Sequence, residues 1–255
     1  MAFVRLDKFL SNAGIGSRSQ VRNYIKYRRV WVDGSPCIKA DTKIDKDKNV
    51  VTFDKRIVSY DEYVYIILNK PKGVISATED ETETTVIDLL EDKYKKMKLF
   101  PVGRLDKDTV GLLILSNDGR FAHNTLSPKK HIEKSYYAHI NGRITQEHIK
   151  KFEEGVVISG GYKCLPAKLS IEYSADNFSK VNITIKEGKY HQIKRMFEAF
   201  GKKVVYLKRL SFDDIKLDET LEEGQYRFAN EKEMKVIEKF IEKWQPFFII
   251  LRLVY

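Results

Sequence analysis

The residues Val110-Gly111-Leu112-Leu113-Ile114-Leu115 form an almost unbroken apolar run, and Asn117-Asp118-Gly119 closes it with a turn. A run of this length bounded by turn residues reads as a buried strand, and the rest of the chain has to be arranged around it. Before it come an extended approach, Leu99 to Val102, and a short acidic loop, Gly103-Arg104-Leu105-Asp106-Lys107-Asp108-Thr109. Asp106 therefore stands at the mouth of something rigid. On spacing alone its ordinary explanation is structural, since loop aspartates commonly cap turns and helices.

With 255 residues the chain can bury one large core or two unequal ones. Its 46 Lys plus Arg against 36 Asp plus Glu leave a formal charge of +10. That balance suits a polyanionic partner and leaves nucleic acid and an anionic membrane both open. The two cysteines, Cys37 and Cys164, lie far apart with no histidine or second thiol at metal spacing. Two reduced, packed thiols are expected, with no zinc site, which fits the cytoplasm. The N-terminus opens on a charged amphipathic pattern rather than the apolar core of a secretory signal. The apolar run Phe247 to Tyr255 is too short for a membrane span, which takes roughly 20 residues.

Near the N-terminus, between Phe3 and Leu10, the residues Leu6, Phe9 and Leu10 share one helical face, and Ser17 can cap a second helix that buries Val21 and Ile25. Arg29-Val30-Trp31-Val32-Asp33-Gly34 alternates and ends in a hairpin signal, and Val50 to Phe53 offers another short strand. The lysine-aspartate alternation between Lys39 and Lys48 reads as loop. Eight cations stand against two acids in the first 40 residues, a net +6 of the chain's +10. A charge run is commonly no more than a solvated face. Here Arg18, Arg22 and Lys26 fall on one stripe of the second helix, beside Arg28 and Arg29 and accompanied by Arg5 and Lys8. Such a stripe matches phosphates along an RNA backbone and positions the chain more than it reads bases. Arg-Leu-Asp-Lys-Phe-Leu, Ser-Arg-x-x-Val-Arg-x-x-Ile and Val-x-Val-Asp-Gly, in this order, resemble the small RNA-binding domain named after ribosomal protein S four, also called the αL motif.

Ser59 to Tyr63 reads as a polar link, followed by a buried strand, Val64 to Leu68, that stops at Asn69-Lys70-Pro71-Lys72-Gly73. Residues 78–84 read as an exposed acidic loop, Thr85 to Tyr94 as a helix with Val86, Leu89 and Leu90 inward, and Phe121 to Leu126 as a helical turn. A strand beginning at Lys134 carries Tyr136 and Tyr137, which point to opposite faces and cannot line the same cavity. Half-buried packing is the ordinary role of either. A helix over 145–154 buries Ile149 and Phe152; strands follow at 156–158, 167–173 and 181–185. Glu187 to Phe197 then turns into a helix ending at Gly201. Lys194 and Arg195 are turned about 100° apart on it, so one of them faces a given carboxylate. Strands resume from Val204 to Tyr226, and a last helix, Glu231 to Trp244, places Ile237, Phe240, Ile241 and Trp244 on one face before Pro246. The class is α+β, a mixed and mainly antiparallel sheet with flanking helices behind a small N-terminal unit. No glycine-rich loop ends in Gly-Lys-Ser/Thr, which argues against a phosphate-cradling NTPase.

Gly-Arg-Leu-Asp-x-x-Thr-x-Gly-Leu-Leu over Gly103 to Leu113, with Lys70-Pro71-x-Gly73, Lys134-x-Tyr136 and His191-Gln192-Ile193-Lys194, resembles the signature of the pseudouridine synthases. The resemblance is to their ribosomal branch, the group that contains RsuA, RluB, RluE and RluF, and it extends to Leu207-Lys208-Arg209 and Gly224 to Arg227. It implies an RNA-binding domain at 1–58, a linker at 59–63, a catalytic domain at 64–230 and an added helix and tail at 231–255. It also implies Asp106 as nucleophile and Lys194 as its paired cation, which an ionised carboxylate in a closed pocket needs. Tyr136 would stack on an extruded uracil and offer its hydroxyl to a leaving proton, and Arg104 would hold the backbone of the flipped nucleotide. Arg195 is assigned to RNA and His191 to the turn. No cofactor and no metal are expected, because the base is its own leaving group and acceptor. The partner expected is ribosomal RNA or an assembly intermediate, bound by a monomer in the cytoplasm. The absence of Gly-Arg before Thr85-Val86 inclines the reading towards 16S RNA; a 23S enzyme and a non-catalytic assembly factor are the alternatives.

Overall fold

The computed structural model describes residues 3–46, 48–58 and 63–241. Two compact units are present: one from the N-terminus to Val64 together with Ile87–Phe100, the other from Tyr65–Val86 and the chain from Pro101 onward.

The first unit runs β1 (Phe3–Arg5), α1 (Leu6–Asn12), α2 (Arg18–Lys26), β2 (Val30–Val32), β3 (Ser35–Pro36), β4 (Lys43–Asp45), β5 (Val51–Phe53) and β6 (Arg56–Ile57). Ser17 caps α2 in a reciprocal box: its hydroxyl accepts from the Gln20 amide at 3.3 Å while the Gln20 side chain accepts from the Ser17 amide at 2.9 Å. Asp33 and Gly34 take φ of 49° and 78°, the double left-handed pair that a two-residue hairpin requires, and β2 pairs with both β3 and β5. Leu6, Phe9, Leu10, Val21, Ile25, Val30 and Ile44 close the core. Two expectations are corrected here. Phe3–Arg5 is a strand rather than the start of the helix, and it pairs with Lys43–Asp45, inside the stretch expected to be loop. In both strands a single apolar residue, Val4 or Ile44, faces inward, too little to register as a period among charges.

Residues 87–100 carry α3 (Asp92–Lys95), a single turn, and the helix expected from Thr85 does not form. Thr85 instead bridges Ile75, and the Val86 amide donates to the Ile75 carbonyl at 3.0 Å, so the backbone there is committed to an extended pair. Val86 and Leu90 are nonetheless buried.

In the second unit β7 (Tyr65–Lys70), β8 (Phe100–Val102), β9 (Val110–Ser116), β10 (Lys134–Asn141), β11 (Val157–Ile158), β12 (Tyr162–Lys163), β13 (Lys168–Ala175), β14 (Phe178–Ile185), β15 (Lys203–Phe212), β16 (Ile215–Lys216) and β17 (Tyr226–Phe228) are interleaved with α4 (Gly119–Leu126), α5 (Gln146–Glu154), α6 (Gln192–Glu198) and α7 (Glu231–Ile241). The main sheet runs β13-β14-β10-β15-β9-β7-β17, with β8 and β16 added at β9 and β15. Along that order the pairings are antiparallel except β9 with β15, where Val110 faces Lys208 and Gly111 faces Arg209. Every residue of β9 is buried, and Leu112, Leu113, Ile114 and Leu115 each contribute roughly 1.5–3 kcal/mol by leaving water. Asp118 ends this strand and starts α4: its carboxylate accepts from the Arg120 and Phe121 amides at 2.9 and 3.3 Å and from the Tyr65 hydroxyl at 2.7 Å. Phe121 packs edge-on against Tyr65 and Phe240, which seats α7. Among the described residues no helix is long and apolar enough to cross a membrane. Trp244, Pro246, the run from Phe247 to Tyr255 and all but Tyr63 of the expected link lie outside the described residues.

Candidate active site

The loop between β8 and β9 is pinned from several sides. Asp106 opens a turn in which its carbonyl accepts from the Thr109 amide at 3.0 Å. The Leu105 peptide is clasped by Ser76, whose hydroxyl accepts from the Leu105 amide at 3.0 Å and lies 2.9 Å from the Leu105 carbonyl. The Gly73 amide donates to the Lys107 carbonyl at 2.8 Å. Behind the loop the fully buried Lys70 ammonium donates to the carbonyls of Pro71 and Thr109, both at 3.0 Å. Burial pushes Lys70 down to about 8, against the pull of Asp108 and Asp106. A lysine held by carbonyls at the end of a buried strand leaves the peptide on either side of Asp106 little freedom.

The cation that meets Asp106 comes from α6. His191, in the left-handed region at φ 49°, turns the chain into this helix, and Lys194 then projects towards the loop. Lys194 Nζ lies 2.9 Å from Asp106 Oδ2 and 2.6 Å from Asp108 Oδ1. Desolvation lowers the Lys194 pKa, but hydrogen bonds to Asp108 and Asp106 outweigh it and hold it above its ordinary value. Desolvation raises the Asp108 carboxyl, and the Lys194 hydrogen bond overcomes this to leave it below the usual range. His191 Nε2 is 3.6 Å from Asp106 Oδ1, with its ring stacked on Tyr190 at 3.8 Å. Asp106, Lys194, His191, Tyr136, Arg104 and Thr109 line one pocket, and the Thr109 hydroxyl is buried without a partner among the described residues.

The local geometry offers a carboxylate of limited exposure, an ammonium held against it and an aromatic wall. Residues 64–199 match the family model described as RNA pseudouridylate synthase, and residues 4–50 match that of the S4 domain. The chain belongs to the RNA pseudouridylate synthase family. It is 46% identical to an RNA pseudouridine synthase of Bacillus subtilis, YtzG, over 92% of this chain and 98% of the relative. It is 37% identical to ribosomal small subunit pseudouridine synthase A of Haemophilus influenzae over 92% of this chain and the whole of that one. Ribosomal large subunit pseudouridine synthase B of Bacillus subtilis is 38% identical over 80% and 84% of the two chains. A crystal structure of a pseudouridylate synthase superposes with a TM-score of 0.64 at 35% identity, covering 93% of this chain and 99% of that one.

Of the residues expected to serve this synthase, Asp106, Tyr136, Lys194 and Arg104 come together at one pocket, Arg104 exposed at its rim. Tyr137 points to the opposite face of β10, against His139 and Tyr206. Arg195 donates through its guanidinium to the Ser159 hydroxyl and carbonyl and to the Tyr190 carbonyl, tying α6 to the loop after β11. His191 turns the chain as expected and also reaches the carboxylate, which its place in the turn alone did not signal. Lys70 and Ser76 were missed as site residues. For Lys70 the signal was available, a charged residue closing an apolar strand just before proline.

Among the N-terminal cations Lys8, Arg18, Lys26 and Arg28 are exposed, and Arg28 adopts φ 59° at the exit of α2. Arg5 and Arg22 both reach the buried Asp7 carboxylate, at 3.0 and 3.4 Å, which fixes their guanidiniums side by side. Arg29 lies over the rings of Tyr24 and Phe53, 4.7 Å from each centre, and pairs with Asp54. Its charge is thus partly spent within the fold.

Proposed function

We propose that this synthase isomerises a uridine of small-subunit ribosomal RNA to pseudouridine, with Asp106 as nucleophile. The observation that supports it best is the 2.9 Å pair of Asp106 and Lys194 in a pocket shared with Tyr136. In the reaction the N1–C1′ bond breaks and a C5–C1′ bond forms; C5 gives up a proton and N1 gains one, so no redox partner or group donor enters. Asp106 attacks C6 or C1′, or stabilises charge while a glycal forms. Lys194 pairs with that carboxylate and balances its charge, Tyr136 stacks on the extruded uracil and its hydroxyl accepts the C5 proton, and Arg104 holds the backbone of the flipped nucleotide. Extruding the base costs a few kcal/mol. Residues 1–58 offset this by docking flanking RNA through Arg5, Lys8, Arg18, Arg22, Lys26, Arg28 and Arg29, while residues 64–230 do the chemistry. The chain acts as a monomer in the cytoplasm, without metal or cofactor.

The small-subunit assignment rests on the missing Gly-Arg before Thr85 and on the full-length match to the Haemophilus influenzae enzyme. The Bacillus subtilis large-subunit relative keeps 23S RNA as the second reading. The test is tritium release from 16S and 23S transcripts labelled at C5 of uridine, by wild type and Asp106→Asn, followed by mapping of the modified position. Release by wild type alone from 16S RNA supports the whole reading. Release from 23S alone moves the substrate, and RNA binding without release by either protein leaves a non-catalytic assembly factor.

A further inference from the structure

A second cavity, of about 330 Å³, opens beside the uridine pocket and shares Arg104, Tyr136, Gly188 and Lys189 with it. Its walls carry the cations Arg104, Lys134, Lys186, Lys189 and Arg209 against one acid, Glu187. That acid is already engaged by neutral donors: the Tyr162 hydroxyl at 2.7 Å, the Leu165 amide at 2.8 Å and the Gln192 amide group at 2.9 Å. Its charge stands against five cations, and Lys186 is also paired with Glu133 at 3.4 Å, so the cavity keeps a net positive charge.

Arg209 is the decisive residue. Its side chain is 2% exposed, and a guanidinium does not shed its proton in a protein. Nε donates to the Leu112 carbonyl at 2.6 Å, but Nη2 is buried with no partner, and Arg209 forms no ion pair among the described residues. The neighbouring cation, Lys134, shares its aromatic support: Lys134 Nζ and Arg209 Cζ lie 5.3 and 5.6 Å from the centre of the Phe212 ring. Two cations crowded on one ring, one of them buried and permanently charged, form an arrangement that an anion completes.

We propose that this cavity seats a backbone phosphate of the substrate RNA adjoining the target uridine, with Arg209 and Lys134 as its fixed positive charges. The inference rests on the reading of the first pocket as the uridine site, since the shared walls place the two ligands next to each other on one strand. Burial first and the Arg209 charge second push Lys134 down to about 8, the direction expected of a cation whose counter-charge is yet to arrive. A phosphate rather than a base is specified at this end, because cations outnumber the one carboxylate of the walls, Glu187, whose oxygens are already taken by neutral donors.

The test crosses neutralised phosphates with a protein variant. Substrate RNA spanning the mapped uridine is made with a single uncharged methylphosphonate at each position within two nucleotides of the target, and KM is measured for wild type and Lys134→Gln. One position is expected to raise the wild-type KM about tenfold, and the same replacement to have less than a twofold effect in Lys134→Gln. Additive effects, or no sensitive position while wild type turns the RNA over, overturn the phosphate seat and leave the synthase reading standing. If wild type turns over no RNA, that reading falls and inorganic phosphate decides the cavity by itself. The Arg209 Nε–H resonance, kept by the Leu112 carbonyl, is then expected to shift saturably with phosphate, with about tenfold weaker affinity in Lys134→Gln. No saturable shift, or the same shift with sodium chloride at equal ionic strength, overturns the proposal.

Discussion

Lys194 Nζ stands 2.9 Å from Asp106 and 2.6 Å from Asp108, one ammonium shared by carboxylates two residues apart. Removing it leaves two like charges on one turn, with His191 Nε2 3.6 Å from Asp106 and the buried Lys70 behind the loop as weaker partners. Lys194→Met is therefore expected to lower kcat by about 10²- to 10³-fold, the scale of losing one preorganised electrostatic partner, with RNA affinity nearly unchanged. Lys194→Arg keeps the charge and recovers part of the loss. Single-turnover tritium release measures both, and a Met variant with wild-type kcat would remove Lys194 from the chemistry.

Lys70 ties its stability to pH in a definite direction. Folded, it titrates at about 8; unfolded, near 10.4. Between these values the unfolded chain binds more protons, so its contribution makes the fold more stable as pH rises from about 8 to 10, and none of this gain is present below 8. Lys134, also at about 8, acts with the same sign, so the quantity to measure is the difference that Lys70→Met makes. Urea unfolding at pH 7.5, 9 and 10 is expected to show a shallower pH slope in that variant. Its kcat should fall roughly 10- to 100-fold because the carbonyls flanking Asp106 lose their common donor. An unchanged slope would assign the titration elsewhere.

The parts of this protein legible in its sequence are those where composition is itself the cause. Val110 to Leu115 reads as a buried strand because its five apolar side chains have nowhere else to go, and Asp33-Gly34 reads as a hairpin because few residues accept two left-handed φ values in a row. The meeting of Asp106 with Lys194, far apart in sequence, came from motif resemblance and not from any spacing. What stayed hidden depends on how elements are placed. The role of His191 beside Asp106 needs the path of α6, and the clasp of Leu105 by Ser76 needs the turn between β7 and α3. The strand Lys43–Asp45 has one apolar residue, and Thr85 lost its helix to a bridge with Ile75 that no local pattern announces.

The N-terminal cations should differ in what they contribute to RNA binding. Each phosphate contact adds about 0.7 to 0.9 to the slope of log K against log salt. Arg18 and Lys26 are exposed and form no ion pair among the described residues, so Arg18→Gln or Lys26→Gln is expected to remove about that much of the slope. Arg29 is already paired directly with Asp54 and lies over two aromatic rings, and Arg29→Gln should change the slope by less than half as much. Filter-binding titrations between 50 and 300 mM salt distinguish these cases. Equal slopes for all three variants would mean that α2 does not lie along the RNA backbone.

The sheet's parallel crossing hangs on one glycine. Gly111 has φ of +99°, and a Cβ on it would lie 2.4 Å from the Arg209 carbonyl oxygen and 2.8 Å from its amide nitrogen. Backbone is what blocks it, so no rotamer change relieves the clash; β9 and β15 must separate at the register that pairs Gly111 with Arg209. Gly111→Ala is expected to destabilise the catalytic unit by about 3 kcal/mol or more. Gly160 shares a positive φ of +85° but has nothing within 4 Å of its would-be Cβ, so Gly160→Ala carries the conformational penalty alone, about 1–2 kcal/mol. The gap between the two in urea unfolding isolates the steric part. Because Gly111 begins the strand that the Asp106 loop feeds and faces the arginine at the back of the second cavity, Gly111→Ala should also lose turnover well below its melting temperature, whereas Gly160→Ala should keep it. Equal destabilisation and equal activity in the two variants would show that the crossing has room to open.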